Sequence, residues 1–137
     1  MVASTYDFLV IGGGSGGLAA AKRAAGYGAK VALVERDRLG GTCVNRGCVP
    51  KKVMFNAASI AEMLHDARDY GFDLQAQGLQ WGKLKAARDA YVQRLNDIYR
   101  RGLVAANVSE ITGAAKFLDA QTVEVGEQRY QHGTRLP

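Results

Sequence analysis

Residues 6–17 of the chain read Tyr-Asp-Phe-Leu-Val-Ile-Gly-Gly-Gly-Ser-Gly-Gly. The apolar run before the glycines is typical of a buried parallel strand. The glycines follow the pattern Gly12-x-Gly14-x-x-Gly17, and small, helix-forming residues come directly after them. A second short apolar run covers residues 30–35. Strand, glycine turn, helix and strand within about thirty residues predict an α/β, Rossmann-like fold built on a right-handed βαβ unit.

Each glycine of this pattern has a physical reason. Gly12 permits the tight turn, Gly14 lets the backbone approach a pyrophosphate, and Gly17 lets the helix pack close to the strand. The helix N-terminus offers free N–H groups to phosphates. Glu35 closes the second strand, where its carboxylate can accept hydrogen bonds from ribose hydroxyls. The stretch predicts a dinucleotide site, without separating NAD from FAD; a glycine turn without a ligand is the alternative.

Composition excludes several classes of protein. The chain has 137 residues, of which 47% are apolar and 23% charged, so disorder is not its main state. No apolar run approaches the roughly 20 residues of a membrane helix, and no secretory signal precedes residue 6. The net charge of +5 comes from scattered basic residues without interleaved aromatic ones. Small anionic ligands are therefore favoured over nucleic acid.

Residues 40–52 read Gly-Gly-Thr-Cys-Val-Asn-Arg-Gly-Cys-Val-Pro-Lys-Lys and contain both cysteines of the chain, Cys43 and Cys48. Two such cysteines can close a small disulfide ring, and a thiolate near a helix N-terminus and cationic side chains has a lowered pKa. Two buried thiols or a structural disulfide are the alternatives. Because so short a ring adds little stability, a redox role is favoured. With His65 and His132 far away in sequence, we expect no metal site.

The remaining sequence predicts two helices and three short strands. Residues 49–67 and 81–106 have apolar residues at helical spacing, separated by a connection over 70–82. The first stripe comprises Val53, Ala57, Ile60, Ala61 and Leu64, and the second comprises Leu84, Tyr91, Leu95, Ile98 and Tyr99. Residues 109–112, 115–118 and 122–125 read as short strands, and a turn over 119–121 joins the last two in a small antiparallel segment. Residues 36–47 read as a loop.

Taken together, the glycine loop, Glu35 and the stretch 40–52 resemble the flavin-dependent pyridine nucleotide–disulfide oxidoreductases, and within them the glutathione reductases. The resemblance extends from about residue 6 to residue 130. Lipoamide dehydrogenases and mercuric reductases usually carry Ser at the position of Lys51, so the Pro50-Lys51-Lys52 run favours the glutathione branch. The alternatives are a lipoamide-, mercuric- or trypanothione-type reductase, or a flavin-binding module without catalysis.

The resemblance implies a site for FAD. Besides the glycine loop, Ser15 and Gly16 would lie on the pyrophosphate and Glu35 on the adenosine ribose. Thr42 would face the pyrophosphate or the ribityl chain, and Ala115 would meet the adenine through its backbone.

Redox roles are implied in the same way. NADPH would reduce FAD, and FAD would reduce a Cys43–Cys48 disulfide. Cys48 would be the sulfur against the flavin, and Cys43 the interchange thiol that attacks glutathione disulfide. Lys51 would reach the N5 edge of the flavin.

Ala19, Lys22 and Tyr99 correspond to positions that line the substrate site of the glutathione branch. The Lys22 position is often Arg in the family, and Lys keeps the positive charge but loses the bidentate fork. Trypanothione reductases typically carry acidic and bulky aromatic residues at the Ala19 and Lys22 positions, so the pair favours an anionic disulfide. A solvated helix face for Lys22 and a core position for Tyr99 are the structural alternatives.

The resemblance also implies what the chain lacks. Residues 1–130 would form most of an FAD-binding domain and residues 131–137 an irregular tail. The NADPH-binding and dimer-interface domains of the family, and its acid–base pair, would lie outside these residues. The fold is therefore expected to be incomplete relative to the family and the chain inactive alone. The complete enzyme would be a cytoplasmic homodimer.

Overall fold

The computed structural model describes residues 4–75 and 77–133. The described part contains seven strands, four α-helices and one 3-10 turn. In chain order they are β1 (Ser4–Tyr6), β2 (Phe8–Ile11), α1 (Ser15–Gly26), β3 (Val31–Glu35), α2 (Gly41–Asn45), α3 (Cys48–Asp66), the 3-10 turn (Ala67–Tyr70), α4 (Trp81–Ala105), β4 (Ser109–Thr112), β5 (Ala115–Phe117), β6 (Thr122–Val125) and β7 (Gln128–His132). The α/β, Rossmann-like prediction is confirmed.

A three-stranded parallel sheet, in the order β2-β3-β4, lies at the centre of the fold. Phe8 pairs with Val31, and Ala32 pairs with Ser109. The central strand is the apolar run of β3, whose first four residues are all buried. A strand with neighbours on both edges and layers on both faces favours such a run over alternating polarity.

Side chains of β3 point alternately to two apolar clusters. Val31 and Leu33 pack with residues of α1 and with Leu103 of α4. Val34 points to the opposite face and packs with Val123 and other residues of the second sheet. The parallel sheet therefore lies between a helical layer and the second sheet, a common layered arrangement of α/β proteins.

The second sheet has four strands in the order β1-β7-β6-β5. Its β5, β6 and β7 are antiparallel, while β1 pairs with β7 in parallel. The short strands predicted at 115–118 and 122–125 are present, but β1 and β7 were not predicted. β7 includes Gln131 and His132, so the irregular tail predicted from residue 131 is wrong for these two residues. Their backbones are ordered by pairing with β6 and β1.

The predicted bounds of α3 and α4 hold within about a residue at each end, whereas α1 begins at Ser15, inside the glycine loop and three residues before the expected start. The buried faces of α3 and α4 differ from expectation. In α4 the fully buried residues are Val92, Asn96 and Leu103, whereas the predicted face residues Tyr91 and Ile98 are exposed. The polar Asn96 interrupts the apolar stripe. The hydrophobic pattern therefore predicted a face of α4 that is rotated about the helix axis from the buried one. The whole of α3 has no buried residue, although its apolar spacing predicted one buried side. None of the described helices is long and apolar enough to cross a membrane.

A short helix, α2, lies inside the predicted loop 36–47. Gly40 precedes this helix with a φ angle of 102°, and Gly41 is its first residue, with a φ angle of 62°. A side chain at Gly40 would collide with Val44, because an added Cβ would lie 2.7 Å from the Val44 Cβ. These glycines make the turn possible. Because glycines are typical of loops, they are also the reason why the sequence predicted a loop here.

At Gly17, a Cβ would lie 1.9 Å from the carbonyl oxygen of Gly12, which is far inside van der Waals contact. We therefore expect Gly17→Ala to lower the free energy of unfolding by about 3 kcal/mol, the upper end of typical overpacking costs. The measurement is urea denaturation followed by far-UV circular dichroism.

The matched control is Gly16→Ala in the same helical turn, where an added Cβ meets no atom within 4 Å. We expect this variant to be at least as stable as the parent, because Ala is the better helix former. Equal stability of the two variants would contradict the close packing of α1 on β2.

Candidate functional site

Glu35 joins the loops at the carboxyl end of the parallel sheet. Its Oε2 accepts a hydrogen bond of 2.6 Å from the Gly13 N–H, and its Oε1 accepts one of 2.8 Å from the Asp37 N–H. Its backbone oxygen accepts a bond of 2.9 Å from the N–H of Gly113, in the turn between β4 and β5. A carboxylate has about four acceptor positions, so both oxygens retain capacity for ligand hydroxyls.

Beside Glu35 lies a cavity of about 410 Å³, within the size range of small-molecule sites. Four residues predicted to bind the cofactor line it: Gly12, Glu35, Thr42 and Ala115. Residues that the sequence did not single out complete the lining: Ile11, Val34, Arg36, Asp37, Arg38, Gly41, Asn45, Arg46, Gly113 and Ala114. The cavity therefore joins the ends of β2 and β3, the cysteine loop and the turn before β5.

The remaining glycine-loop residues lie beside this cavity, at the N-terminus of α1. Gly14 caps the helix without a side-chain hydrogen bond, and Ser15 and Gly16 are exposed. The two glycine-rich loops touch, since a Cβ on Gly41 would lie 3.0 Å from the Cα of Gly14. An uncapped helix N-terminus faced by side-chain-free backbone is a suitable cradle for a pyrophosphate.

These residues fit the adenosine diphosphate portion of FAD. The glycine backbone offers N–H groups without steric obstruction, and the Glu35 carboxylate offers acceptors for ribose hydroxyls. Arg46 of the cavity is paired with Asp37 at 2.7 Å, so the positive charge that suits a diphosphate comes from Arg36 and Arg38. Lys51 is exposed in the first turn of α3 and does not line this cavity.

The two cysteines come together because α2 and α3 meet at Gly47. A Cβ at Gly47 would lie 3.0 Å from the Thr42 oxygen and 3.3 Å from the Cys43 Cα. Only a glycine fits this close approach without displacing backbone. In this structure both cysteines are free thiols, with Cys43 half-buried and Cys48 exposed. Thr42 and Cys43 are adjacent on α2, so the cavity and the thiol pair share one element.

The side-chain hydrogen bond with Cys48 raises the pKa of Cys43. Desolvation and the charge of Cys48 act in the same direction, and a backbone hydrogen bond at Cys48 opposes them. The sequence predicted a lowered pKa for a thiol near a helix N-terminus, and of the two cysteines it is Cys48 that begins the long helix; the raised pKa of Cys43 was not predicted. It is raised because a neighbouring sulfur stabilises the protonated form of Cys43.

Two asparagines connect the cysteine loop to α4. The Asn96 side chain is 4% exposed, and its Nδ2 donates hydrogen bonds of 2.7 Å to the Leu39 oxygen and 3.0 Å to Asn45 Oδ1. Asn96 Oδ1 is buried without a partner, which costs roughly 1–3 kcal/mol. The sequence did not identify either asparagine, because a polar residue in a helix normally indicates a solvent-facing position.

The predicted substrate residues lie in different surroundings. Ala19 and Lys22 line a shallow surface depression with Arg23, Gly26 and Tyr27. Tyr99 is not among the lining residues; it is half-buried and packs against the main apolar cluster. Tyr99 is therefore packed as the structural alternative predicted, as an aromatic residue at the edge of the core.

The two histidines of the chain lie on different elements, with His65 on α3. His132 lies in β7, 2.9 Å from the Ala120 oxygen through its Nε2. Within residues 4–75 and 77–133, no group of three or more potential ligands could hold a metal ion.

Sequence comparisons identify relatives of the chain. The family described as "Pyridine nucleotide-disulphide oxidoreductase" matches residues 6–136. A protein named glutathione reductase from Yarrowia lipolytica is 56% identical over 114 residues, which are 80% of this chain and 24% of that protein. One of the same name from Schizosaccharomyces pombe is 51% identical over 126 residues, which are 90% of this chain and 27% of that protein. The chain thus spans about a quarter of the length of these curated relatives.

The raised pKa of Cys43 predicts its reactivity. A higher pKa leaves less thiolate at a given pH, so iodoacetamide should modify Cys43 only at higher pH than an ordinary cysteine. Cys48→Ala removes the hydrogen-bonding sulfur and should lower the pH midpoint of Cys43 modification. Trypsin cuts after Arg46, so mass spectrometry of the digest follows the two cysteines separately.

The control variant is Cys48→Ser, which keeps a hydroxyl at the position and should shift the midpoint less. An unchanged midpoint in Cys48→Ala would contradict the interaction between the two side chains.

Proposed function

The chain belongs to the pyridine nucleotide-disulphide oxidoreductase family, and we propose that it is the part of an NADPH-dependent glutathione-disulfide reductase that holds FAD and the redox-active cysteines. One observation carries the proposal: a cavity lined by Gly12, Glu35 and Thr42 adjoins the element that bears Cys43. The names of the two relatives support the substrate. Bound FAD would accept electrons from NADPH and deliver them to the Cys43–Cys48 disulfide.

The chain's own residues hold the cofactor in this proposal. Gly12, Gly14, Ser15, Gly16 and Gly17 form the backbone cradle at the N-terminus of α1 for the pyrophosphate. Glu35 accepts hydrogen bonds from the adenosine ribose. Thr42 contacts the pyrophosphate or ribityl region, and Ala115 bounds the adenine through its backbone. Lys51, in the first turn of α3, carries positive charge toward the flavin edge.

The cysteines carry the disulfide exchange. The Cys43 thiolate attacks one sulfur of glutathione disulfide, forms a mixed disulfide and releases one glutathione thiolate, which takes up a proton. Cys48 loses its proton and attacks Cys43 Sγ, so that the second glutathione leaves and the ring disulfide closes. The dithiol is oxidised and glutathione disulfide is reduced, so the electrons balance. The neighbouring Cys48 thiol raises the pKa of Cys43, which supports the closeness of the two sulfurs that this pairing needs.

Ala19 and Lys22 are proposed to line the substrate site, and the partly exposed side of Tyr99, which otherwise packs against the main apolar cluster, to bound it. The small Ala19 leaves room above α1, and the exposed Lys22 ammonium attracts the carboxylates of glutathione. Arg23 lines the same depression and adds a second positive charge. Positive charge at this surface supports an anionic disulfide over a cationic or neutral one.

We also propose that residues 1–130 form the amino-terminal part of the FAD-binding domain, that the complete protein is a homodimer and that it works in the cytoplasm. The apolar side of α3 supports a further protein contact. Ile60 and Leu64 are exposed and line a groove of about 480 Å³ with Leu74 and Leu79. Such exposed apolar patches mark interaction surfaces. Paired thiols suit a reducing compartment.

A flavin-binding measurement tests the cofactor. Because the cavity fits the adenosine diphosphate portion, the chain should quench the fluorescence of FAD at lower concentration than that of FMN, and ADP should compete with FAD. Glu35→Gln removes the negative charge of one ribose acceptor and should weaken FAD binding about tenfold.

The matched control is Glu62→Gln on α3, an exposed carboxyl away from the cavity, which should leave FAD binding unchanged. If FMN binds as tightly as FAD, the proposed cofactor site is wrong.

A second measurement tests the substrate class. We expect the reduced chain to be oxidised by glutathione disulfide, with two glutathione molecules released per ring formed. Lys22→Glu should slow this oxidation by about tenfold, since one attractive charge becomes repulsive. Oxidation by the neutral hydroxyethyl disulfide should keep its rate in the same variant.

Lys83→Glu, which changes the net charge equally at an exposed position on α4, should slow neither oxidant. An equal effect of both lysine variants would indicate a response to net charge alone and contradict a substrate site at Lys22.

A further inference from the structure

We propose that Asn96 and Asn45 form a clamp, an asparagine pair that positions Cys43 opposite Cys48 for thiol–disulfide exchange. The inference deepens the proposed function and rests on it. Neither residue carries a thiol or touches the thiol pair through a hydrogen bond of its own. Both act through the backbone of the loop that leads into α2.

The first part of the clamp is the long-range contact from α4. Asn96 Nδ2 donates to Leu39 O at 2.7 Å and to Asn45 Oδ1 at 3.0 Å. Both acceptors are oxygens, so the opposite amide orientation would set Asn96 Oδ1 against them and lose both bonds. The amide orientation is therefore fixed by its partners. Through it, α4 holds a loop that is more than fifty residues earlier in the sequence.

The second part of the clamp is local. Asn45 Nδ2 lies 3.2 Å from Arg38 O, 3.1 Å from Leu39 O and 2.9 Å from Gly41 O. These three oxygens belong to the turn with the positive-φ glycines that starts α2. The Asn45 amide thus closes the turn on the N-terminal side of Cys43. The hydrogen bond from Asn96 Nδ2 to Asn45 Oδ1 fixes the orientation of that amide. The position of Cys43 depends on both.

The Asn96 side chain does more to position Cys43 than to stabilise the fold. Its Oδ1 is buried without a hydrogen-bond partner, so an apolar side chain of similar size would remove that penalty. Leu39 O would keep its bond from Asn45. A buried amide that is only partly satisfied yet spans two elements is better explained by the geometry it imposes than by net stabilisation.

The equilibrium between dithiol and ring disulfide measures this geometry. In this reaction the dithiol and glutathione disulfide give the ring disulfide and two glutathione molecules. Its equilibrium constant measures the effective concentration of the Cys48 thiol in the surroundings of Cys43. If the clamp is lost, α2 moves relative to α3 and the ring becomes harder to close. We expect the constant of Asn96→Leu to fall about tenfold.

The experiment equilibrates the chain in glutathione redox buffers and quantifies the ring by alkylation and mass spectrometry. The variants are Asn96→Leu and Asn45→Ala. Because Asn45 is less buried than Asn96, Asn45→Ala can test the clamp even if Asn96→Leu does not fold. The control is Val92→Ala, which removes buried volume one turn earlier on α4 but no hydrogen bond to the cysteine loop. Its melting temperature should fall while its redox constant stays at the parent value.

A tenfold fall in either asparagine variant, without a fall in Val92→Ala, supports the clamp. Parent-like constants in the folded asparagine variants, or an equal fall in Val92→Ala, overturn it. If the parent chain itself forms no ring in these buffers, the proposed exchange function fails, and the clamp inference fails with it.

Discussion

The hydrogen bonds of Glu35 are the constraint on which the site depends. Its carboxylate holds the glycine loop at Gly13 and the turn at Asp37, and its backbone oxygen holds Gly113. Parallel strands bring their carboxyl ends to one edge of a sheet, where their loops can form a common site. Glu35 fixes three of those loops to one strand end, and the cavity exists between them.

The cysteine loop is joined to this arrangement through glycine contacts. Gly41 lies against Gly14, and Gly40 donates a hydrogen bond of 2.7 Å to the Gly13 oxygen. The element that bears Cys43 therefore packs directly on the loop proposed to hold the pyrophosphate. A change in one loop is transmitted to the other through backbone contacts, because no side chain lies between them.

The parts of the fold that follow from local sterics could be predicted from the sequence. The Gly12-x-Gly14-x-x-Gly17 spacing and the apolar run of β3 each have one good structural interpretation, and the structure has the predicted strand, turn and helix. What depends on distant partners could not be predicted. β1 becomes a strand by pairing with the distant β7, and Asn96 is buried because the oxygens of another loop satisfy its donor. The periodicity of α4 therefore indicated Tyr91 and Ile98 as buried, and both are exposed.

The pairing of β1 with β7 has a consequence for synthesis of the protein. Ser4 pairs with Tyr130, so the first described strand leaves the ribosome long before its partner is made. At typical elongation rates of 5–20 residues per second the delay is on the order of 10 s, much longer than the microseconds in which helices and hairpins form. The parallel sheet and its helices can assemble earlier, because their strands are complete by Thr112. Of the described strands, β1 thus waits longest for its partner, and it is open to chaperones until β7 has emerged.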